Sequence, residues 1–365
     1  MKGKVLFLIK VPPPITGATV MNQRIYESSK IRDNFITDFI LINYLRNRND
    51  FGTLSIRKIG IIIKTIIILT KKLIVDKPDI IYFQITPNGI GFLRDSVYIL
   101  LIKLFQVSLV LHFRGKGVRA SSTTVLQRKY YKFILTGTSI LCHSDIVAKD
   151  FTHVFNGTYY IVENGIPVEV TDKQIKQKSS SNVPRVLYLS TLMKNKGIFD
   201  FLESLKILSD ENIKFKAIVI GEPKNNSTLS EILDFIKENG LSEHVSILGA
   251  KYGKEKFKYL VNSDIFVFPT LHEAFGNVVL EAFQSQLPVI STDEGSLPVI
   301  IDHGVNGYIY PKGDIEMLSK KLKLLISNDD LRIKMGKNGR EKFLCNYTIG
   351  KFEDHMVEII NRLID

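Results

Sequence analysis

Cysteine is almost absent: Cys142 and Cys345 are the only two in 365 residues. Neither has a second Cys or a His at metal-ligand spacing, which excludes a zinc knuckle and a disulfide framework. Both read as packing residues in a reducing compartment. No uncharged apolar run is long enough to span a bilayer, because the richest segment, Ile59–Val75, is interrupted by Lys64, Lys71 and Lys72. The opening run Val5–Ile9 is shorter than a signal-peptide core and ends at Pro12, Pro13 and Pro14. It therefore reads as a buried strand, and the chain is expected in the cytoplasm. The glycine fingerprint G-x-G-x-x-G of dinucleotide-binding turns is missing after that strand. Low-complexity sequence is confined to one polar, serine-rich stretch, Thr171–Arg185.

Acidic residues are scarce in the first half. Residues 1–170 hold 23 Lys+Arg against 11 Asp+Glu, whereas residues 171–365 hold 26 of each, so the whole net charge of +12 lies N-terminally. A basic half joined to a neutral one implies an anionic partner surface: nucleic acid, acidic lipid headgroups or a phosphorylated acceptor. With Ile59–Val75 placed on a helix that starts just before it, Arg57, Lys64 and Lys71 recur every seventh residue and Lys58 and Lys72 stand fourteen apart, with isoleucines elsewhere. That is the pattern of an interfacial helix at a membrane surface; a helix packed on its sheet with a lysine edge fits the same composition.

Short apolar runs alternate with helical patterns throughout. Lys4–Ile9, Asp38–Ile42, Ile80–Gln84, Ser108–His112, Ser139–His143 and Tyr159–Glu163 form one expected strand series. Val186–Ser190, Lys216–Gly221, Val245–Leu248, Ile265–Pro269, Pro288–Ser291 and Gly307–Tyr310 form a second. Strands separated by helix-length segments imply parallel pairing, and the length suits two α/β domains. The expected division is residues 1–168, a linker at 169–184 and a second domain at 185–349, with a C-terminal helix at 350–365 that returns to the first domain.

The residues best suited to chemistry follow the strand Ile265–Pro269. Glu273 falls in the strand-to-helix turn and Glu281 lies eight residues on, within the helix. Gly276 allows close backbone approach, and the N–H groups at such a helix start attract phosphate. Phe275, Asn277 and Val278 flank it. A carboxylate at the position of Glu281 suits the two hydroxyls of a ribose, at the carboxyl ends of strands where open α/β sheets bind ligands.

Glu273 to Glu281 resembles the E-x7-E motif of retaining glycosyltransferases of family 4, also called group 1. Leu287–Thr292, Gly295 and Asp302–Tyr308 match that family's C-terminal core in order and spacing, and the resemblance covers the chain from Val186 to about Phe343. It implies an α/β fold of the GT-B type, two Rossmann-like domains with parallel sheets facing across a cleft. The first would bind the acceptor and the second a nucleotide-sugar, expected to be a UDP-sugar. The implied reaction is sugar transfer with retention, with Glu273 orienting the sugar. Lys196 matches the family lysine that holds the donor diphosphate. Thr191 stands where the family has an arginine and Ser190 where it has a glycine, so Lys194, or Arg114 from the first domain, is expected to supply the missing charge. His112 resembles a histidine near the donor sugar. Gly17, in the loop after the first strand, resembles a residue near the donor phosphates or the acceptor; Glu222, Gly249 and Ala250 resemble the borders of the donor base and diphosphate.

No Asp-x-Asp pair occurs, so neither metal nor cofactor is expected. The resemblance and the basic half together imply a glycan or lipid-linked acceptor at the inner face of the cell membrane, in surface polysaccharide assembly, with no nucleic-acid partner. The competing readings are a nucleotide-sugar epimerase or phosphorylase on the same fold, a basic nucleic-acid-binding protein, and a scaffold without activity.

Overall fold

The computed structural model describes residues 2–44, 55–177 and 182–364. It divides into two units, Met1–Asn164 with Gly350–Asp365, and Gly165–Ile349.

The first unit holds strands β1 (Lys4–Ile9), β2 (Ile36–Leu41), β3 (Ile80–Ile85), β4 (Ser108–Phe113), β5 (Ser139–Cys142) and β6 (Tyr159–Ile161). They form one sheet in the order β2-β1-β3-β4-β5-β6, with every pair parallel. Its helices are α1 (Gly17–Glu27), α2 (Ser29–Asn34), α3 (Ile56–Val75), α4 (Gly89–Leu104), α5 (Val118–Ser121), α6 (Val125–Leu135) and α7 (Asp145–Ala148). All six residues of β3 are buried, as a strand covered by helices on both faces requires, and this is why its sequence is a continuous apolar run.

The second unit holds β7 (Arg185–Leu189), β8 (Lys216–Ile220), β9 (Val245–Ile247), β10 (Ile265–Phe268), β11 (Val289–Thr292) and β12 (Gly307–Tyr310), again all parallel, in the order β12-β11-β10-β7-β8-β9. The helices are α8 (Asp172–Lys176), α9 (Ile198–Asp210), α10 (Asn226–Glu238), α11 (Gly253–Asn262), α12 (Asn277–Gln284), α13 (Leu297–Ile300), α14 (Ile315–Ile326) and α15 (Asp329–Asn346); α16 (Ile349–Ile364) follows. Each sheet has one switch point, between β1 and β3 in the first unit and between β7 and β10 in the second, where crossovers depart in opposite directions and open a crevice at the carboxyl ends of the strands.

Each expected strand is present, with no end shifted by more than two residues. The stretch read as an unstructured linker is different. Thr171 caps α8 through a reciprocal pair with Gln174, and Val170 is fully buried. The backbone N–H groups of Glu169 and Val170 both donate to Gln284 Oε1. These ties fasten the start of the stretch to the second unit; residues 178–181 lie outside the described residues. The units divide at Asn164–Gly165, and the outgoing and returning chains are bonded there, Ile166 N to Tyr347 O and Ile349 N to Ile166 O, both at 2.9 Å. Beyond that point α16 joins the first unit. It buries Phe352, Met356 and Ile360, one helical face at four-residue spacing, and Ile364 packs on Gly3 where a Cβ would come within 2.6 Å.

Candidate functional site

In the second unit, the chain leaving β7 makes a single 3-10 turn, Lys194–Lys196, closed by Gly197 at φ +71°. A Cβ at Gly197 would collide with the carbonyl oxygen of Pro269, so glycine alone lets this turn press on the end of β10. The contact is held by Leu271 N donating to Asn195 O at 3.0 Å. Lys196 is thereby delivered to the loop after β10, where its Nζ donates to His272 O at 2.8 Å and to Glu273 Oε2 at 2.9 Å. Both side chains retain about a fifth of their surface, 22% each. Gly295, at φ +59°, braces the same loop, since a Cβ there would meet Glu273 O at 2.5 Å. The switch point of the sheet therefore presents an ammonium and a carboxylate side by side.

Gly276, at φ +96°, starts α12 with no side-chain cap and no acid in the first turn. The positive end of this helix is thus left uncompensated by its own sequence, as an anion-binding terminus requires. Asn277 and Val278 form that turn. Glu281, one turn on, accepts from Lys256 Nζ of α11 at 2.6 Å through Oε1, while its buried Oε2 has no hydrogen-bond partner. A buried carboxylate oxygen without a donor is costly, and a ligand hydroxyl would satisfy it.

Other expected site residues take different places. Phe275 is 2% exposed and packs edge-on against Tyr347, so it belongs to the core. Lys194 is bonded to Glu231 of α10 at 2.9 Å and stands largely in solvent; the structure engages its charge there, not beside Lys196. Glu222 follows β8 and accepts from Leu192 N through its backbone oxygen. Gly249, at φ +68°, accepts from Gly221 N, with Ala250 exposed beside it.

In the first unit, His112 on β4 has no exposed surface. Its Nδ1 meets Tyr82 OH at 2.7 Å and its Nε2 has no partner. Burial first, then Arg114 and His143, push its pKa well below the ordinary value, so the ring is neutral. Arg114 is also buried, donating to Asn164 Oδ1 at 2.8 Å and lying over Phe352, so its guanidinium is engaged within this unit. Gly17 opens α1 beside Thr16, whose side chain caps that helix. Sequence reasoning missed Lys256 and His143, because a lysine on an amphipathic helix and a strand-end histidine carry no local sign of their partners.

Residues 170–342 match the model of the group 1 glycosyl transferases. The capsular polysaccharide biosynthesis glycosyltransferase CapM of Staphylococcus aureus is 31% identical over 156 residues, which span 42% of this chain and 40% of that protein. Among solved structures, a glycosyltransferase from Rickettsia africae superposes with a TM-score of 0.80 at 16% identity, over 100% of this chain and 99% of that one. HepE from Anabaena, solved in complex with UDP, does so at 0.74 and 15% identity, over 98% and 100%. The molecule has the two-sheet GT-B fold. Its second unit, Gly165–Ile349, contains the residues that match the group 1 glycosyl transferase model.

Proposed function

We propose that the chain is a glycosyltransferase of polysaccharide assembly, which moves a sugar from a nucleoside-diphosphate donor, a UDP-sugar, to a hydroxyl of a membrane-associated glycan or lipid-linked acceptor. The observation that carries this reading is the meeting of Lys196, Glu273 and the uncapped start of α12 at the β7–β10 switch point. An ammonium and a helix terminus there would take up the negative charge that builds on a departing diphosphate, and Glu281 would bind the ribose through its unpartnered oxygen. The donor class is supported by the UDP complex of HepE, and the setting by CapM. Retention at the anomeric carbon, with Glu273 orienting the sugar, and catalysis without a metal complete the proposal. They rest on the resemblance of the Glu273–Glu281 motif and on the absence of Asp-x-Asp from the sequence.

The acceptor belongs to the first unit in this reading, and the unit is peripheral at the inner membrane face. Among the described residues no helix is long and apolar enough to cross a membrane. Yet α3 buries Lys58, Thr65, Leu69 and Leu73 while Ile59, Ile63, Ile67 and Ile74 stand exposed, with Lys64 and Lys71 between them. Lys58 is thus not part of the solvent stripe expected from its spacing. Exposed isoleucines among lysines suit insertion at an anionic surface.

Titration with UDP while following the melting temperature tests the donor site, since a ligand bound only by the folded state raises it. Stabilisation by UDP that disappears in Glu281→Ala is expected; stabilisation that survives this substitution would sink the assignment. Incubation with a nucleotide-sugar and no acceptor separates an epimerase, which would alter the sugar. The anomeric configuration of the product, read by NMR, decides retention.

A further inference from the structure

At the β1–β3 switch point of the first unit lies a cavity of about 500 Å³, within the range of small-molecule sites. Its walls are mainly hydrocarbon, including Val11, Pro14, Ile42, Ile62, Ile85 and Ile90. Among the described residues four cations also line it, Lys10, Lys58, Arg94 and Arg114, and no acidic residue does. Two of them are fixed by a fully buried carboxylate behind the wall: Arg94 Nε donates to Asp95 Oδ1 at 2.8 Å, and Lys10 Nζ lies 3.6 Å from Asp95 Oδ2. Thr86 Oγ1 accepts from both, at 2.8 Å from Lys10 and 3.1 Å from Arg94, and the Arg94 guanidinium lies 4.0 Å over the Tyr44 ring. Burial lowers the Lys10 ammonium to about 8, and at this end of the cavity the single carboxylate of Asp95 faces both Lys10 and Arg94.

Hydrocarbon walls beside a cationic end set the chemistry of the occupant. A polyhydroxylated sugar would leave its hydroxyls unpaired against isoleucine, and a free phosphate would leave the walls uncovered. An apolar chain that ends in phosphate matches both. The source of such a chain is also indicated. Ile62 of α3 and Ile90 of α4 line the cavity, and on the same helices Ile59, Ile63, Leu93 and Val97 are exposed, so apolar surface continues from the cavity wall to the outer face.

We propose that this cavity receives the phosphate and first isoprenoid units of a prenyl-phosphate-linked acceptor, with α3 and α4 as the edge along which the rest of the chain returns to the bilayer. The inference rests on the glycosyltransferase reading, and it adds the acceptor class and the residues that select it.

The test is calorimetric titration of the full chain with farnesyl diphosphate, farnesol and inorganic pyrophosphate, each with and without saturating UDP. Farnesyl diphosphate is expected to bind whether or not UDP is present, and at least about tenfold more tightly than either fragment, since each fragment satisfies only one end of the cavity. Ile90→Trp, at a half-exposed position where the fold tolerates change, and Arg94→Gln should each weaken it about tenfold or more, with UDP binding by Ile90→Trp unchanged as the folding control. Farnesyl diphosphate binding that is absent, displaced by UDP, or equal in wild type and Ile90→Trp overturns the proposal. Wild-type protein that binds farnesyl diphosphate in this pattern but fails to bind UDP would support the cavity and sink the transferase reading instead.

Discussion

The two units are built on the same parallel, doubly wound plan and use its switch point in opposite ways. At β7–β10 the second unit sets out paired charges with part of their surface in water: Lys196 on Glu273 and Lys256 on Glu281. At β1–β3 the first unit surrounds a hydrocarbon cavity with cations, and farther along the same sheet His112 on β4 and His143 after β5 are buried and neutral. Charge follows the same division, with 25 Lys+Arg against 14 Asp+Glu in the first unit and 24 against 23 in the second. One topology therefore supplies a place for a ligand, and side chains at the strand ends decide which ligand. A site of oriented ion pairs is suited to a charged donor, and an apolar site in a basic unit to an amphiphilic acceptor.

The contrast is sharpened most by removing a charge from the second unit. Lys196→Ala should lower the transfer rate about 100-fold or more, as loss of a group that stabilises a leaving anion does; a loss under tenfold in single-turnover kinetics would break the assignment.

The next effect belongs to the first unit and is read in stability. His143 is held near 3 and His112 is also shifted down, by burial and by Arg114. Below the ordinary value near 6.5 the unfolded chain takes up protons that these folded rings refuse. Stability is thus complete above about pH 6.5 and falls as pH drops towards the folded values, by at most about 1.4 kcal/mol per pH unit for each ring. Denaturant melts between pH 7 and pH 5 check this, and a flatter profile in His143→Gln confirms its source.

Exposed isoleucines give a smaller effect. Replacing Ile63 and Ile67 together by serine should reduce sedimentation with anionic vesicles about tenfold and shift stability by less than about 1 kcal/mol, because both side chains are already in water. Equal binding by the variant, or indifference to lipid charge in the wild type, removes the membrane face from the comparison. Smallest of all, Lys194→Ala should change transfer less than about twofold, since its partner Glu231 forms an exposed pair. A loss matching that of Lys196→Ala would return Lys194 to the site.

Much of this was legible along the chain. Strands stood out among the described residues because a parallel strand covered on both faces must be apolar throughout, as β3 shows. Glu273, Glu281 and Lys196 were legible because they sit in the short loops and first turns that follow strand ends, where sequence spacing is also spatial spacing. Legibility failed where contact crosses the chain. Nothing near Glu281 announces Lys256, twenty-five residues earlier, and nothing in a strand-end His-Phe-Arg shows that both polar side chains are buried. Phe275 reads as a ligand contact from its place in the motif and as core from its neighbours.

Local pattern alone determined the parallel architecture, the basic and neutral halves, and the loop that bears the paired carboxylates, because hydrophobic period, charge count and turn chemistry act over a few residues. Tertiary structure decided which of those groups are paired, buried or left with an unmet hydrogen bond, and it created the cavity between β1 and β3. These depend on side chains from distant segments sharing one dielectric environment, and no stretch of sequence contains that environment by itself.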